Sequence, residues 1–557
     1  MPTSDQKNEK ISDIEGWIEN AKGKTIRTLQ RREIQESAAD LEETFYDDYL
    51  SIKFSLKHNE YPYFICYSYT TTEPVFFIIA GWTPVFARDI PTRKATLTLT
   101  VPTGYQIFSD TSGIRHMDVS EQKESEVYTW ESSYEKPVKS EIYAPEISSF
   151  QPYVRIVPRK FFYGVEGSYD TWTDYGEWYS KLISGLDKLP AEEETKINEM
   201  IKNAGTTDEK IRIIYHYIQD NTRYINVSTK IGGMKPFPAK YVSINKYGDC
   251  KALVNYTKSL LEAAGIKSYY TLVYAGDTPA DPLKGMPFPG FNHVILMVPD
   301  GKDTIWLECT SKISPFNYLG SFTSGRRAFV INNEKSGFVW TQRPEYEKLE
   351  TVKTFNFRTD PISGLVGDAV FTMRGEQFEH YLALKNNLDK KEQSLLLNKI
   401  FSYSGLDVSE YDLSAESRDS DEITLSMHGK AGKYLKKVQN DIAVNIAHFQ
   451  IPDFEEVSRR KLPVKITNPV AERDTVYLEL NDLQKTLFLP KDLEIANKYG
   501  FYRISTSQTG NKITLIKEFC ILQGEYSLKE YPSFYSFIAD IKKEEKICGI
   551  VFTNKTL

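Results

Sequence analysis

Tyr247-Gly248-Asp249-Cys250-Lys251-Ala252-Leu253 is the stretch on which the fold turns. Asp249 suits a helix cap. Beyond it Leu253, Tyr256, Thr257, Leu260, Leu261 and Ala264 recur at helical spacing until Gly265 stops the run. Cys250 thus opens a helix, where unpaired N–H groups and the positive end of the dipole favour an anionic sulfur. Its own N–H can donate to an oxyanion. Downstream, Phe291-Asn292-His293-Val294 and Trp306-Leu307-Glu308 fall on successive predicted strands, 293–298 and 304–308, after another at 269–274. Residues 293, 295 and 297 share one strand face, as do 306 and 308. If the two strands are neighbours, His293 and Glu308 lie side by side. A thiol attacks carbonyl carbon as thiolate, an adjacent imidazole makes thiolate available, and a third polar group orients the imidazole. Singly, each residue has a plainer reading: a small buried hydrophobe, a hydrogen-bonded bystander, a surface carboxylate. Taken together they point to nucleophilic cysteine chemistry.

The rest of the chain is read outward from that stretch. Upstream, Thr207 to Ile218 and Ala191 to Ala204 are predicted helices, the second with an acidic first turn at Glu192, Glu193 and Glu194. Trp172, Tyr175, Trp178, Tyr179 and Leu182 mark a third. A segment with Gly232, Gly233, Pro236 and Pro238 is irregular. Within a first domain at 1–165, residues from about 25 to 165 alternate in the strand manner, as at 61–69, 95–101 and 127–130. Turn signals at 102–104 and 110–113 separate these strands, which predicts an antiparallel β-sandwich whose first strands could lie outside the chain. The apolar run 74–81 is too short to cross a membrane and is expected as a buried strand. From 341 to 557 strand patterns return at 352–357, 367–374, 422–428, 475–479 and 512–519. Helical stretches are expected near 378–402 and 433–445, with a closing helix at 533–546 and a short strand at 547–552. The expected fold class is α+β: a core at 166–340 flanked by two β-rich domains, the second with helical insertions.

Composition excludes several function classes. Of 557 residues 40% are hydrophobic and 13% aromatic, enough for packed cores and unlike a disordered chain. The net charge is −7, with no basic stripe to suit nucleic acid. Five dispersed cysteines do not form a disulfide framework, and neither Cys nor His falls at metal-ligand spacing, so no metal or other cofactor is expected. No loop matches a calcium-binding pattern. Residues 1–6 are polar, hold no signal peptide and read as a trimmed mature end.

The motifs Tyr217-Ile218-Gln219-Asp220-Asn221-Thr222-Arg223-Tyr224, Pro236-Phe237-Pro238-Ala239, Tyr247 to Lys251, Leu260 to Ile266, Phe291 to Val294, Trp306 to Glu308 and Gly325 to Val330 carry a resemblance. Residues 207–332 resemble the papain-like, transglutaminase-like superfamily core, in the form found in bacterial, Bacteroidetes-like surface or periplasmic proteins. There the core lies between an N-terminal DUF3857-type domain and a C-terminal β domain. The resemblance implies Cys250 as nucleophile and His293 as general base and acid. It puts Glu308 where the family usually has Asp, so that this longer carboxylate must fold back or the strands must sit further apart. It implies an oxyanion partner upstream of the cysteine, Tyr224 first and Gln219 second. Asp249 is expected to cap the helix, Trp306 to cover the triad, and Cys309 to face the other way, buried and inert. It further implies export to the periplasm or cell surface.

Three functions compete. The first is a cysteine acyl-transfer enzyme, a peptidase, amidase or cross-linker acting on a protein or peptide through a thioester, with hydrolysis favoured because nothing marks an amine site. The second is an inactive scaffold or binding protein at the cell envelope. The third is polysaccharide recognition by an aromatic platform on one face of a β domain.

Overall fold

The computed structural model describes residues 2–4, 10–38, 49–73, 75–226, 233–276, 287–288, 290–301, 303–360, 364–445 and 448–555. Pro74 and Gly232, both named above, lie outside these. Eight α-helices and many strands make a mixed α+β molecule with several β-rich regions among the described residues.

The N-terminal strands form small antiparallel sheets of three strands each. In one, Ser125–Tyr134 runs between His116–Gln122 and Thr92–Pro102. In another, Tyr153–Pro158 lies between Ala80–Trp82 and Ile107–Ser112. Trp130, Val154 and Ile156, all fully buried, form their shared core. Gly104 and Gly113 take positive φ at two of the expected turns. The apolar run read as a buried strand is not one: Val75 and Phe76 are exposed, and regular pairing begins only at Ala80. Further along, Phe77 packs on Phe161, Tyr163 and Trp178, and Ile79 and Ala80 lie against the Trp130 core, so the run is partly covered by side chains without forming a buried strand.

The central region is built around a helix and a sheet. The helices are α1 (Trp172–Ile183), α2 (Ala191–Ile201), α3 (Thr207–Asn221), α4 (Ala239–Asn245) and α5 (Cys250–Ala263). Helix α5 is buried nearly all round, because Leu253, Val254, Tyr256, Leu260 and Leu261 face other helices or the sheet. Burying each such side chain contributes about 1.5–3 kcal/mol. Its outer polar groups are matched at one point: the buried Glu193 carboxylate of α2 accepts from Tyr217 of α3 (2.5 Å), Tyr256 of α5 (2.6 Å) and Ser243 of α4 (2.8 Å). A residue of the acidic first turn of α2 therefore joins four helices. Beside them lies an antiparallel five-stranded sheet in the order 303–307, 293–300, 269–273, 327–330, 337–340.

The C-terminal region carries an eight-stranded sheet. Its central pair, Thr351–Asp360 and Val470–Glu479, is parallel; the other pairings are antiparallel. Helices α6 (Gly375–Asn387), α7 (Lys390–Ser404) and α8 (Tyr531–Glu545) pack Phe378, Leu397, Phe534, Phe537 and Ile541 into its core. The helix expected at 433–445 is instead a short 3-10 turn and a hairpin, Leu435–Val438 with Asp441–Val444, pairing onward with Ile550–Asn554. Gln439 takes a left-handed φ of 58° at the hairpin turn, and the alternation of Ile442 and Val444 sends both side chains inward.

Candidate active site

Cys250 stands at the first position of α5 and is 7% exposed. Asp249 caps the helix as expected: one carboxylate oxygen accepts from the Ala252 N–H at 2.9 Å, and the other pairs with the Lys251 ammonium at 2.6 Å. Burial pulls the Lys251 amine down, but the charges of Asp249 and Cys250 outweigh it and hold the ammonium protonated. The turn into the helix needs Gly248, since a Cβ there would come 2.8 Å from the Cβ of Ala252.

His293 opens its strand. The preceding Asn292 fixes that opening, accepting from Ala275 N–H (2.6 Å) and donating to Ala275 C=O (2.8 Å). The imidazole turns Nε2 to the Glu308 carboxylate at 2.9 Å, leaving Nδ1 for the other side, and Cys250 lies near enough to act on the ring's protonation. Burial acts to lower the imidazole, yet the Glu308 charge, with the bond to Glu308 and the influence of Cys250, pushes it up to about 10. The ring therefore carries its proton at neutral pH. Burial acts to raise Glu308, 1% exposed, but the His293 charge and bonds from His293 and Thr310 hold it below the usual carboxylate range.

The strand register accounts for how Glu308 reaches His293. Leu296 faces Leu307 and Met297 faces Trp306, so the ladder carried onward sets His293 across from residue 310, not 308. Glu308 is a diagonal neighbour, about 7–8 Å away along the backbone, and the added methylene spans that gap. Thr310 completes the arrangement, donating its N–H (3.1 Å) and hydroxyl (2.5 Å) to the second Glu308 oxygen. Sequence reasoning missed Thr310; its signal was a hydroxyl two residues beyond a carboxylate, the spacing of a local turn bond.

The two oxyanion candidates separate. Tyr224 pairs with Gly248 in a short parallel ladder, and Ile225 N–H donates to Gly248 C=O at 2.9 Å, so its main chain runs beside the approach to Cys250; its ring is 40% exposed. Gln219 is oriented elsewhere. Its amide N–H groups go to the Ser311 and Ser314 carbonyls (3.2 and 2.8 Å) and its oxygen accepts from Arg418 (2.9 Å), which leaves no N–H for an oxyanion. Trp306 is buried with Val273, Ile295, Leu319 and Ala328. Cys309 is buried, and burial pushes its thiol up to about 12. Among the described residues no group of three His, Cys, Asp or Glu could hold a metal ion, and no helix is long and apolar enough to cross a membrane.

Two family models match parts of the chain: the domain of unknown function DUF3857 over residues 5–139 and the domain of unknown function DUF3858 over residues 440–547. No curated protein matches. Among solved structures, a "putative protease" from Parabacteroides distasonis matches with a TM-score of 0.64 at 11% identity, over 99% of this chain and 90% of that one. A "putative cysteine protease" from Cytophaga hutchinsonii matches with a TM-score of 0.18 at 11% identity, over 39% of this chain and 72% of that one, too slight a likeness to bear on it. The first likeness establishes a shared fold spanning nearly the full chain.

Proposed function

We propose that the chain is a cysteine-dependent acyl-transfer enzyme, hydrolysing an amide in a protein or peptide through Cys250, His293 and Glu308. The observation that carries this reading is the imidazole held at 2.9 Å on a buried carboxylate, near Cys250 at the start of α5, with its proton retained at neutral pH. An imidazolium beside sulfur is the pairing in which cysteine nucleophiles work. In the reaction the Cys250 sulfur adds to the amide carbonyl, and the carbonyl electrons move to oxygen. The oxyanion is met by the Cys250 N–H at the helix start, with Tyr224 as its second partner. His293 then gives its proton to the departing amine as the C–N bond breaks, leaving a thioester. Water, losing a proton to His293, attacks the thioester and releases the carboxylic acid and the thiolate. Glu308 keeps the ring oriented and balances its charge throughout. The name of the Parabacteroides distasonis neighbour supports the protease class. The motifs around the triad support a transglutaminase-like type, and the resemblance supports export to the periplasm or cell surface.

The binding reading keeps one observation. Tyr63, Tyr67 and Tyr69 alternate on one face of the Tyr63–Thr72 strand, with Tyr67 and Tyr69 exposed, a platform of the kind that stacks on sugar rings. Iodoacetamide labelling of Cys250 across pH separates the readings. The enzyme is expected to show fast labelling near neutrality that is lost in His293→Ala. Labelling that follows an ordinary thiol, unchanged by that substitution, rejects it.

A further inference from the structure

The turn that joins the Asp407–Ser414 and Glu422–Lys430 strands, residues 415–421, reaches out of the C-terminal sheet onto α3. Asp419 accepts there from Arg212 (2.7 Å), from His216 Nε2 (2.8 Å) and from the backbone N–H of Phe316 (3.1 Å). Arg418 holds both Asp220 oxygens (3.0 and 3.1 Å) and the amide oxygen of Gln219 (2.9 Å). These contacts are not confined to a surface. The nitrogen of the same Gln219 amide grips the Ser311 and Ser314 carbonyls, and the Tyr215 hydroxyl donates to the Ser314 and Glu308 carbonyls (3.2 and 3.1 Å). Residues 311–316 continue directly from Thr310, whose N–H and hydroxyl hold the Glu308 carboxylate. Hydrogen bonds thus lead from the C-terminal sheet by Arg418 and Gln219 to the Ser311 and Ser314 carbonyls and by Asp419 to the Phe316 N–H, and the backbone of 310–316 joins these points to Thr310 and Glu308.

We propose that Arg418 and Asp419 are positioning residues, through which the C-terminal region sets the aim of Glu308 on His293. The inference rests on the catalytic reading above. It assigns the 415–421 turn a part in the chemistry, and it gives Gln219 the role of coupler in place of oxyanion donor. A carboxylate placed diagonally from its histidine depends on its backbone being held, because small displacements at a reacting constellation have large effects on rate.

Arg418 is partly exposed and both residues lie on a turn, so Arg418→Ala and Asp419→Asn are expected to fold; circular dichroism of the full chain checks this. Both variants are expected to slow Cys250 labelling by iodoacetamide near neutrality by roughly tenfold, moving the pH profile toward that of Glu308→Gln. Arg418→Lys should recover part of the rate, since it keeps the charge and loses the two-pronged grip. The His293 imidazole titration, followed by NMR, reads the linkage independently of the sulfur. A lowered titration midpoint in folded Arg418→Ala supports the linkage even if wild-type Cys250 proves to be an ordinary thiol, an outcome that defeats the catalytic reading alone. A midpoint that matches the wild type in both Arg418→Ala and Asp419→Asn overturns the linkage.

Discussion

Glu308 lies diagonally from His293, and its carboxylate is shared between the imidazole at 2.9 Å and the N–H and hydroxyl of Thr310, a placement in which the longer side chain is expected to matter. Two variants test this. Glu308→Gln retains the shape and removes the charge, so the His293 imidazole should fall from about 10 toward its ordinary range and neutral-pH labelling of Cys250 should slow by roughly tenfold or more. Glu308→Asp keeps the charge and shortens the reach, and it should impair the site in the same direction; equal or faster labelling in that variant would contradict the register argument. The pH dependence of stability has a definite sign. His293 is raised above its unfolded value of 6.5, so its pairing stabilises fully below that pH and is lost as pH rises through about 10. Glu308 is lowered from 4.5, so its share is present above that value and lost as pH falls. The stability difference between wild type and His293→Ala, measured by urea unfolding, should be largest between these two ordinary values and shrink toward alkaline pH. The placement of Cys250 at a helix start and of His293 beside Glu308 was legible in the chain because each sits beside a local signal: a capping Asp, an Asn-His at a strand start, an alternating Trp-Leu-Glu. Gln219 was misread because its partners, Ser311, Ser314 and Arg418, are distant in sequence and no local pattern announces them.

Helix α5 is the element that carries the sulfur, and its start is set by close approach. Gly248 lies against the first turn so tightly that Gly248→Ala must push either its own backbone or Ala252 aside. The expected cost is about 1–3 kcal/mol of stability, with a displaced Cys250. Denaturant unfolding and labelling of the same variant should therefore fall together; a variant with lowered stability and unaltered labelling would show that the turn and the sulfur are not coupled. At this scale periodicity served well for α1, α2, α3, α5 and α8 and for the long strands, since one stripe or face of each is buried and alternation or helical spacing records it. It served badly where burial comes from elsewhere. Residues 433–445 have a spacing that suits either state, and their strand form depends on Ile550–Asn554 at the far end of the chain. Val75 and Phe76 are apolar but lie outside any sheet.

The whole molecule is tied by clasps between regions far apart in sequence. Arg460, whose side chain is fully buried, holds Glu455 at 2.6 Å and donates to Ile142 C=O at 3.0 Å. The Glu141 carboxylate in turn accepts from the Lys461 and Leu462 N–H groups, each at 2.9 Å. Removing one partner of a buried pair is costly because it leaves the other charge uncompensated. Arg460→Ala is accordingly expected to cost about 3–5 kcal/mol and to loosen the 141–143 segment. A lowered melting temperature with new protease cleavage near that segment checks both; cleavage unchanged from wild type would count against the clasp. Neither this contact nor the Arg418–Asp419 contact left a trace in the sequence, because a charged residue on a loop looks the same whether solvent or another region receives it.

The parallel pairing of Thr351–Asp360 with Val470–Glu479 has a consequence for how the chain is made. Strands running the same way cannot meet through a tight turn, and here more than a hundred residues separate the partners. During synthesis the earlier strand must wait, one edge unclaimed, until the later one has left the ribosome. The helix and five-stranded sheet bearing the triad precede that delay and draw on contacts already present. The nascent protein thus holds that helix and sheet before its largest sheet can close, and the interval in between is when an open strand edge invites association with the wrong neighbour.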